Sequence, residues 1–285
     1  MNTGTEPVVV IGGGVGPMAG VALHARIIEN TLTDGTDQSH LCVHHYSCPA
    51  MVPDRTGWLL RRADGASADP GDDTADPAAG MARVFRAAAR ALDGRAAVGG
   101  VPCNTFHAPA IFDRFLAMLG EAGIDIRIVN MLEETMGLLG ERLGQPPSRD
   151  LGRESGQVAC SQGIGVLSTT GTRRSGIYDR LLAKTGYTTL YVSESDQALL
   201  HAAIYDQSWG IKATAVPSER AMAVVSGLAS SLVACGASAV ILACTELPLT
   251  LDGTSIRGVP LIDPVLALAR ALVREASPGK LKPLR

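Results

Sequence analysis

Two cysteines occupy matching positions in this sequence, and a thiol can release or accept a proton near neutral pH. Cys103 and Cys244 each follow a short apolar run that is typical of a buried strand. In open α/β sheets, ligands bind in the crevice beyond the carboxyl ends of the strands. We therefore expect the two thiols to face one ligand from opposite sides and to move protons on both of its faces.

The sequence after each cysteine predicts a helix, and this position affects the thiol. The N-terminus of a helix lowers the pKa of a thiol from about 8.5, which makes the reactive thiolate accessible near neutral pH. We expect this effect at Cys103 and Cys244. A free cysteine is otherwise often a small, inert core residue, and this interpretation is kept for Cys42, Cys48, Cys160 and Cys235.

Polar residues directly follow both cysteines: Asn104 and Thr105 after the first, and Thr245 and Glu246 after the second. Residues of these types frequently cap helices. Groups at a helix start also bind anions, so both roles stay open. Glu246 either stabilises a helix start or contacts the ammonium group of a substrate.

A glycine-rich loop follows the first predicted strand and opens a helix, with Pro17 suited to the first helical position. The loop contains Gly14, Val15 and Gly16, and from Gly14 to Ala19 it satisfies the Gly-x-Gly-x-x-Ala dinucleotide fingerprint. A dinucleotide site also needs an acidic residue near the end of the second strand, where this sequence has Ser, Cys and Pro. A nucleotide site, a cradle of backbone amides for a substrate carboxylate and a structural turn all stay open; we favour a site without a cofactor.

Two cations and one imidazole are further candidates. Arg55 follows a proline-bounded loop, from which it could clamp a carboxylate with two parallel hydrogen bonds. Lys212 has no spacing that selects it, and for both cations a solvated surface position is the alternative. His107 lies four residues after the first cysteine, and a Cys–His pair would permit nucleophilic catalysis; a packed histidine is an equal alternative. His44 and His45 alternate on the two faces of a strand and form no metal site together.

Composition limits the classes of function. The chain has 285 residues, of which 46% are hydrophobic and 19% charged, and a formal net charge of −3. These values fit a globular protein and give no general attraction to nucleic acid or to anionic membranes. No apolar run reaches the roughly 18 to 20 residues of a membrane span, the first residues lack a secretory pattern, and no cysteine pair has zinc spacing. We expect a cytoplasmic protein that binds a small molecule.

Strand-like apolar runs alternate with longer Ala-rich and Leu-rich segments, a pattern that predicts an α/β fold with mostly parallel sheets flanked by helices. The predicted strands are Val8–Gly12, Leu41–Tyr46, Ala97–Val101, Ile126–Val129, Ile164–Leu167, Thr189–Val192 and Ala239–Leu242. The predicted helices are Pro17–Leu32, Met81–Leu92, Ala108–Ala122, Leu132–Arg142, Gly176–Lys184, Asp196–Tyr205, Ser218–Cys235 and Pro264–Ala276.

Two segments interrupt this pattern of strands and helices, and a weak internal symmetry indicates that the chain has two similar halves. Asp64–Gly80 and Gly144–Gly163 are rich in loop-forming residues, so we expect loops there, the first of them a possible lid. Similar strand-to-loop turns after the first and fifth predicted strands indicate two lobes. We place the first at 1–120 with 258–285 and the second at 121–257, each carrying one of the two cysteines.

Together these residues resemble the aspartate/glutamate racemase superfamily, and more closely its aspartate racemase branch. The resemblance runs through most of the chain, and the order and number of its motifs make it specific. It rests on Gly13–Pro17, Ser47–Pro49 with Pro53–Thr56, Pro102–His107, Gly171–Thr172 with Ser175 and Tyr178, Ile204–Tyr205, Ile211–Lys212, Ala243–Leu249 and Ile262–Pro264.

The resemblance implies two similar lobes with the active site in the cleft between them, and a racemase that needs no cofactor, pyridoxal phosphate included. Cys103 and Cys244 would be its two acid/base residues, and a homodimer is the common assembly. Three residues would hold the α-carboxylate: Asn104, Thr105 and Thr245. Arg55 and Lys212 would favour an acidic side chain. We expect further substrate contacts from Gly14, Val15, Gly16, Pro17, Thr172 and Glu246.

Departures from the family pattern leave alternatives. Val15 stands where the family loop often has Met, Gly20 replaces a frequent Thr, and the two loop segments are unusual, so the sequence does not rank aspartate against glutamate. A related isomerase or decarboxylase, a non-catalytic ligand-binding protein and a nucleotide-dependent oxidoreductase are the other candidates. Two cysteines favour the racemase, because binding alone needs neither thiol.

Overall fold

The computed structural model describes residues 6–63, 76–144, 162–214, 216–251 and 253–284. The chain divides into two compact units, the first made of Met1–Glu134 with Val265–Arg285 and the second of Thr135–Pro264. Within the described ranges, the structure contains no helix with both the length and the apolar character needed to cross a membrane.

The first unit is built on a parallel sheet. Its strands run in the order β2-β1-β3-β4, and each neighbouring pair is parallel. The elements here are β1 (Val8–Gly13), α1 (Pro17–Asn30), β2 (Val43–Ser47), α2 (Arg55–Ala63), α3 (Pro77–Ala91), β3 (Ala97–Gly100), α4 (Pro109–Glu121) and β4 (Arg127–Ile128). Two further helices follow at α5 (Met131–Arg142), which continues into the second unit, and α10 (Pro264–Ala276).

The continuous apolar run of β1 explains why this strand lies at the centre of the sheet. Successive side chains of a strand point to opposite faces, and each face of β1 meets its own core. Val10 packs with residues of α3 and α4, such as Phe85. Ile11 packs with residues of α1 and α10, such as Leu268. A parallel strand covered by helices on both faces reads as an uninterrupted hydrophobic run, as this one does.

The second unit repeats the same architecture with an added hairpin. Its strands run in the order β6-β5-β7-β9-β8, and all pairs are parallel except β8 with β9. The elements are β5 (Gly163–Ser168), α6 (Thr170–Arg174), α7 (Ile177–Lys184), β6 (Thr188–Leu190), α8 (Glu194–Tyr205), α9 (Glu219–Ala234), β7 (Ala237–Ala243), β8 (Ser255–Ile256) and β9 (Val259–Ile262).

The predicted α/β class is confirmed, and the predicted elements recur with small shifts at their ends. Four short elements escaped the sequence analysis: α2, α6, β8 and β9. Arg55, which follows the proline-bounded loop, is the first residue of α2. Gly80 and Gly163, which the analysis placed at the ends of loops, lie in α3 and at the start of β5.

The start of α3 has a local explanation. The Asp76 side chain accepts a hydrogen bond from the Ala78 N–H, and Pro77 occupies the first turn, so the helix begins before its apolar periodicity is visible. The rest of the expected lid, residues 64–75, and the expected loop at 145–161 lie outside the described residues, and both stay predictions.

The bounds of the two units differ from those expected for the lobes, and strand pairing explains the difference. β4 pairs with β3 in the first sheet, so the chain around residues 121–134 stays in the first unit. β9 pairs with β7 in the second sheet, so residues 258–264 stay in the second unit. The sequence analysis did not find β9 and therefore placed the return to the first lobe before this strand, at residue 258.

Candidate functional site

Cys103 lies just beyond the carboxyl end of β3. β1 and β3 are neighbouring parallel strands with Ile11 opposite Gly100, so the loop after β1 leaves the sheet at the same carboxyl end of the strands. The Cys103 side chain is buried, with 7% exposure, and the chain continues into a short 3-10 helix, Thr105–His107. The structure thus places this thiol and the glycine-rich loop of the same unit at the carboxyl end of neighbouring strands.

The glycine-rich loop packs tightly against the segment after β2. Gly14 has a φ of 88°, and a Cβ at this position would lie 2.6 Å from the backbone of Cys48 and Pro49. Glycine is therefore needed here both for the positive φ and for the close approach of two backbones. This packing supports the structural-turn interpretation of the loop, whether or not its amides also bind a ligand.

Arg55 is tied to the same loop. Its Nη2 donates to the carbonyl oxygen of Val15 at 2.7 Å, and its Nη1 donates to that of Pro53 at 3.2 Å. Val15 itself is buried, Gly16 has a φ of 136°, and Pro17 begins α1. The guanidinium group therefore has a fixed position relative to the loop, as the clamp interpretation requires.

His107 binds the backbone beside the first cysteine. Its Nδ1 lies 2.9 Å from the carbonyl oxygen of Cys103, and its ring stacks on Phe112 with centroids 4.6 Å apart. Burial lowers the pKa of His107 to about 4, although hydrogen bonds with the backbone of Cys103 and Val129 oppose this shift. A neutral, buried ring that bonds a backbone carbonyl supports the packed-histidine interpretation over a Cys–His nucleophile pair.

Asn104 and Thr105 are buried beside Cys103. Asn104 stands at the start of the 3-10 helix, but its side chain makes no capping hydrogen bond there. Helix capping therefore does not account for this asparagine, and its role in anion binding stays a prediction.

In the second unit, Cys244 lies just beyond the carboxyl end of β7. Ser168 of β5 pairs with Ala243 of β7, so the residues that follow these two strands leave the sheet side by side. Thr169 caps α6 by accepting from the Thr172 N–H at 3.2 Å, and its hydroxyl donates to the Thr172 hydroxyl at 3.1 Å. Thr172 is thus fixed in a buried position next to the strand end that carries the second thiol.

The Cys244 thiol is in contact with a buried ion pair. Its Sγ lies 3.2 Å from Glu246 Oε2, and the Thr245 hydroxyl donates to the same oxygen at 3.1 Å. The Lys212 ammonium pairs with the other carboxylate oxygen, Oε1, and lies 5.7 Å from the centre of the Tyr205 ring. Four predicted candidates of this unit therefore form one connected cluster, made of Lys212, Cys244, Thr245 and Glu246, in which Lys212 and Glu246 neutralise each other.

The expectation of a lowered pKa at Cys244 was wrong. Burial raises the pKa of this thiol well above its ordinary value, and the Glu246 carboxylate raises it further, while Lys212 opposes the shift. The helix expected after the thiol is a four-residue 3-10 helix, Leu247–Thr250. Such a short helix aligns few peptide dipoles, so burial and the adjacent carboxylate dominate.

Gln197 of α8 was missed by the sequence analysis. Its amide nitrogen donates to the carbonyl oxygen of Ser168 at 2.9 Å, and its amide oxygen accepts from Arg173. The glutamine thereby supports the end of β5 beside the Thr169 turn. Its only sequence signal is a polar residue among the apolar residues of α8, which does not identify a contact across the unit.

The chain matches the family model described as Asp/Glu/Hydantoin racemase over residues 147–272. This range contains Cys244, Glu246 and Lys212, whereas Cys103 lies outside it. The resemblance identified from the sequence motifs is thus confirmed over the second half of the chain.

Solved structures similar to this chain include aspartate and glutamate racemases. Picrophilus torridus aspartate racemase has a TM-score of 0.67 and 23% identity, over 97% of this chain and 96% of that one. A putative Asp/Glu racemase from Yersinia pestis has a TM-score of 0.63 and 19% identity, over 95% and 99%. Glutamate racemase from Francisella tularensis, in complex with D-glutamate, has a TM-score of 0.52 and 15% identity, over 99% and 85%. These structures share the fold of two mostly parallel sheets flanked by helices.

Proposed function

We propose that this protein is a cofactor-independent racemase of an acidic amino acid, aspartate or glutamate, with Cys103 and Cys244 as its two acid/base residues. One observation supports this most directly: in each compact unit, a buried cysteine lies just beyond the carboxyl end of a parallel strand and is followed by polar residues. The match of residues 147–272 to the racemase family adds to it.

The proposed chemistry uses one thiol on each face of the substrate. One cysteine, as a thiolate, removes the α-proton and leaves a planar carbanion-like species; the other, as a thiol, returns a proton to the opposite face. The configuration at the α-carbon is inverted. Two nearby thiolates would repel each other, so the pair carries one proton between them and titrates as a coupled unit.

The α-proton of an amino acid is only weakly acidic, so the enzyme has to stabilise charge that develops on the α-carboxylate. We propose that Asn104, Thr105 and Thr245 serve this purpose. Each lies one or two residues after one of the two cysteines and is buried. Thr172 and the glycine loop, with Gly14, Val15, Gly16 and Pro17, are proposed as further contacts to the substrate.

Selection of an acidic side chain is assigned to Arg55 and Lys212. The planar guanidinium group of Arg55 is suited to bind a carboxylate with two parallel hydrogen bonds, and its bond to the Val15 carbonyl fixes where it lies. Lys212 is engaged by Glu246, so its attraction for a substrate carboxylate is partly offset. Arg55 is therefore the stronger candidate for this role.

The decisive experiment is α-proton exchange in deuterium oxide without added cofactor. L- and D-aspartate and L- and D-glutamate are followed by proton NMR, and the configuration of each product is determined by chiral chromatography. Exchange with inversion from both enantiomers of one amino acid would support the proposal and name the substrate. Exchange with none of the four would reject it in favour of a related isomerase, a decarboxylase or a binding protein. A homodimer and a cytoplasmic location stay predictions.

A further inference from the structure

Glu246 is a buried carboxylate with a distinct partner on each of its oxygens. Oε1 faces the Lys212 ammonium, and Oε2 accepts from the Cys244 thiol at 3.2 Å and from the Thr245 hydroxyl at 3.1 Å. The Glu246 side chain is only 2% exposed. The sequence analysis expected this glutamate to contact a substrate ammonium group, but the ammonium group that it contacts belongs to Lys212.

Lys212 keeps this carboxylate charged. Isolating a carboxylate from water is costly unless an opposite charge and hydrogen bonds compensate, and both are present here. Burial alone would lower the pKa of Lys212, but Glu246, Cys244 and Tyr205 together raise it above its ordinary value. Near neutral pH the lysine is therefore a cation paired with the Glu246 carboxylate, and Oε2 accepts the hydrogen bonds of the Cys244 thiol and the Thr245 hydroxyl.

We propose that Glu246 is a positioning residue that holds Cys244 as a protonated thiol, so that Cys244 enters the reaction as the proton donor. A thiol S–H satisfies Oε2, whereas a thiolate would place a second negative charge next to it. The titratable groups around the thiol are Glu246 on its own loop, Lys212 after α8, and Tyr205 at the end of α8 beside Lys212. Of these, the Glu246 carboxylate accepts the hydrogen bond from the sulfur.

This inference rests on the proposed racemase function for its catalytic consequence alone. When Cys244 donates, its S–H bond breaks, a C–H bond forms at the α-carbon, and the electron pair stays on sulfur. The thiolate that results is repelled by Glu246 and attracted by Lys212. Glu246 thus favours the return of a proton to this sulfur after each donation, while Lys212 prevents the thiolate from being prohibitively unfavourable.

The test measures alkylation of each cysteine by iodoacetamide across a range of pH, resolved by site with mass spectrometry. In the unchanged protein, we expect the midpoint for Cys244 to lie above the 8.5 or so of a free thiol. In Glu246→Gln, the carboxylate charge is gone while Lys212 remains, so the midpoint should fall by at least about one unit. That shift corresponds to about tenfold faster alkylation at any pH below both midpoints.

The rate at high pH separates electrostatics from structural damage. If Glu246→Gln merely loosened the fold, the rate of Cys244 alkylation would rise at every pH, including the plateau at high pH. A shift of the midpoint with an unchanged plateau rate would instead show the effect of the lost carboxylate charge. Exposed Cys235 serves as the internal reference, and Glu219→Gln, an exposed glutamate of the same unit, serves as the matched charge control. A Cys244 midpoint at or below about 8.5 in the unchanged protein, or one that Glu246→Gln leaves in place or raises, would overturn the inference.

The exchange experiment keeps the two proposals distinguishable. If Glu246→Gln shifts the Cys244 midpoint but the unchanged protein exchanges no α-proton, the racemase proposal fails and the positioning role of Glu246 stands. If the unchanged protein racemises but the midpoint does not move, Glu246 loses its assigned role and the racemase proposal stands. When both hold, the pH profile of racemisation should shift in Glu246→Gln in the same direction as the alkylation midpoint.

Discussion

Cys103 and Cys244 are buried to a similar extent, but their neighbours differ in charge. Beside Cys103 the structure places the neutral ring of His107, which bonds the backbone. Beside Cys244 it places the Lys212–Glu246 ion pair. Two thiols that are equivalent in the sequence pattern therefore lie in unequal electrostatic surroundings, and this asymmetry suits a reaction in which one thiol starts as base and the other as acid.

Removing either thiol should abolish racemisation without unfolding the protein. For Cys103→Ala and Cys244→Ala we expect the rate of inversion to fall at least about a hundredfold, the lower end of what a positioned acid or base contributes. In its thiolate form, the remaining cysteine can still exchange the proton on its own face, so each variant should incorporate deuterium without inversion into a different enantiomer. This exchange should be slower in Cys103→Ala, because Glu246 keeps the Cys244 thiol protonated. Cys235→Ala is the control with full activity expected. Inversion at the parent rate in either variant, or exchange of the same enantiomer by both, would contradict the two-base mechanism.

His107 should make the folded state sensitive to acid. Its pKa is about 4 in the folded chain and about 6.5 when unfolded, so between these values the unfolded chain binds a proton that the folded chain does not. The stability contributed by the neutral ring is complete above about pH 6.5 and declines as the pH falls toward 4. By pH 5 the loss amounts to about 2 kcal/mol.

The matched variant is His107→Gln, which keeps a side-chain donor and does not titrate. Urea unfolding at pH 7 and at pH 5 gives, for the unchanged protein and for the variant, the change in the free energy of unfolding between the two pH values. The change should be about 2 kcal/mol smaller for the variant, even if the variant is less stable at pH 7 because it loses the stack on Phe112. Equal changes in the two proteins would show that His107 is not the responsible group.

The turns that follow the strands determine where the candidate side chains lie. The loop after β1 bends at Gly14 and Gly16, which have positive φ values, and Arg55 at the start of α2 holds it through the Val15 carbonyl. In the second unit, Thr169 caps α6 and fixes Thr172. These short elements connect the carboxyl ends of the strands to the residues that we assign to substrate binding.

Gly14→Ala should disturb this loop more than backbone strain alone predicts. The substitution combines a positive φ of 88° with a Cβ that meets the Cys48–Pro49 backbone at 2.6 Å. We expect a loss of stability above the roughly 1 kcal/mol typical of φ strain and a loss of activity from the displaced loop. Gly35→Ala is the control, because Gly35 has a φ of 92° and open space around it. Thermal unfolding of both variants isolates the clash; equal destabilisation would contradict the close packing.

The long elements were predictable from the sequence, and four of the short ones were not. β1, β5 and β7 were found because they are uninterrupted apolar runs between longer helical segments. α2 was missed because it opens with Arg, Thr and Gly, which do not predict a helix. β8 and β9 were missed because Ser255 and Pro260 leave neither strand an uninterrupted apolar run.

The sequence motifs identified both cysteines and most of their neighbours as site residues, but they did not identify the contacts among these residues. Lys212 and Glu246 are 34 residues apart, and no periodic pattern connects them, so their pairing depends on tertiary packing that brings the segment after α8 to the end of β7. For the same reason the sign of the pKa shift at Cys244 could not be read from its position after a strand.

Taken as a whole, the chain forms its first unit from two separated segments. Residues of α10 supply one face of the core over β1 and β3, including Leu268, Leu272 and Val273, all fully buried. A Cβ added to Gly100 of β3 would lie 3.0 Å from Leu268, so the helix packs closely on the sheet. Arg274 of α10 also donates to Glu134 at the start of α5, at 2.7 Å.

Leu268→Ala should therefore destabilise the first unit strongly. A fully buried leucine cut back to alanine typically costs about 2–5 kcal/mol through lost burial and a residual cavity. Leu116→Ala in α4 of the same unit is the control, since this leucine is 39% exposed and should cost well under about 1 kcal/mol. Urea unfolding checks both. A similar small effect in the two variants would mean that α10 is not a required part of this core.

The two-segment construction of the first unit has a consequence during protein synthesis. The ribosome makes β1 to β4 early, but α10 emerges only after the whole of Thr135–Pro264 has been translated. At roughly 5 to 20 residues per second, that interval is on the order of ten seconds. Throughout it, the face of the nascent sheet that bears Val9 and Ile11 has α1 beside it but lacks α10. The yield of native protein should accordingly depend on how well chaperones shield that apolar surface until the last helix arrives.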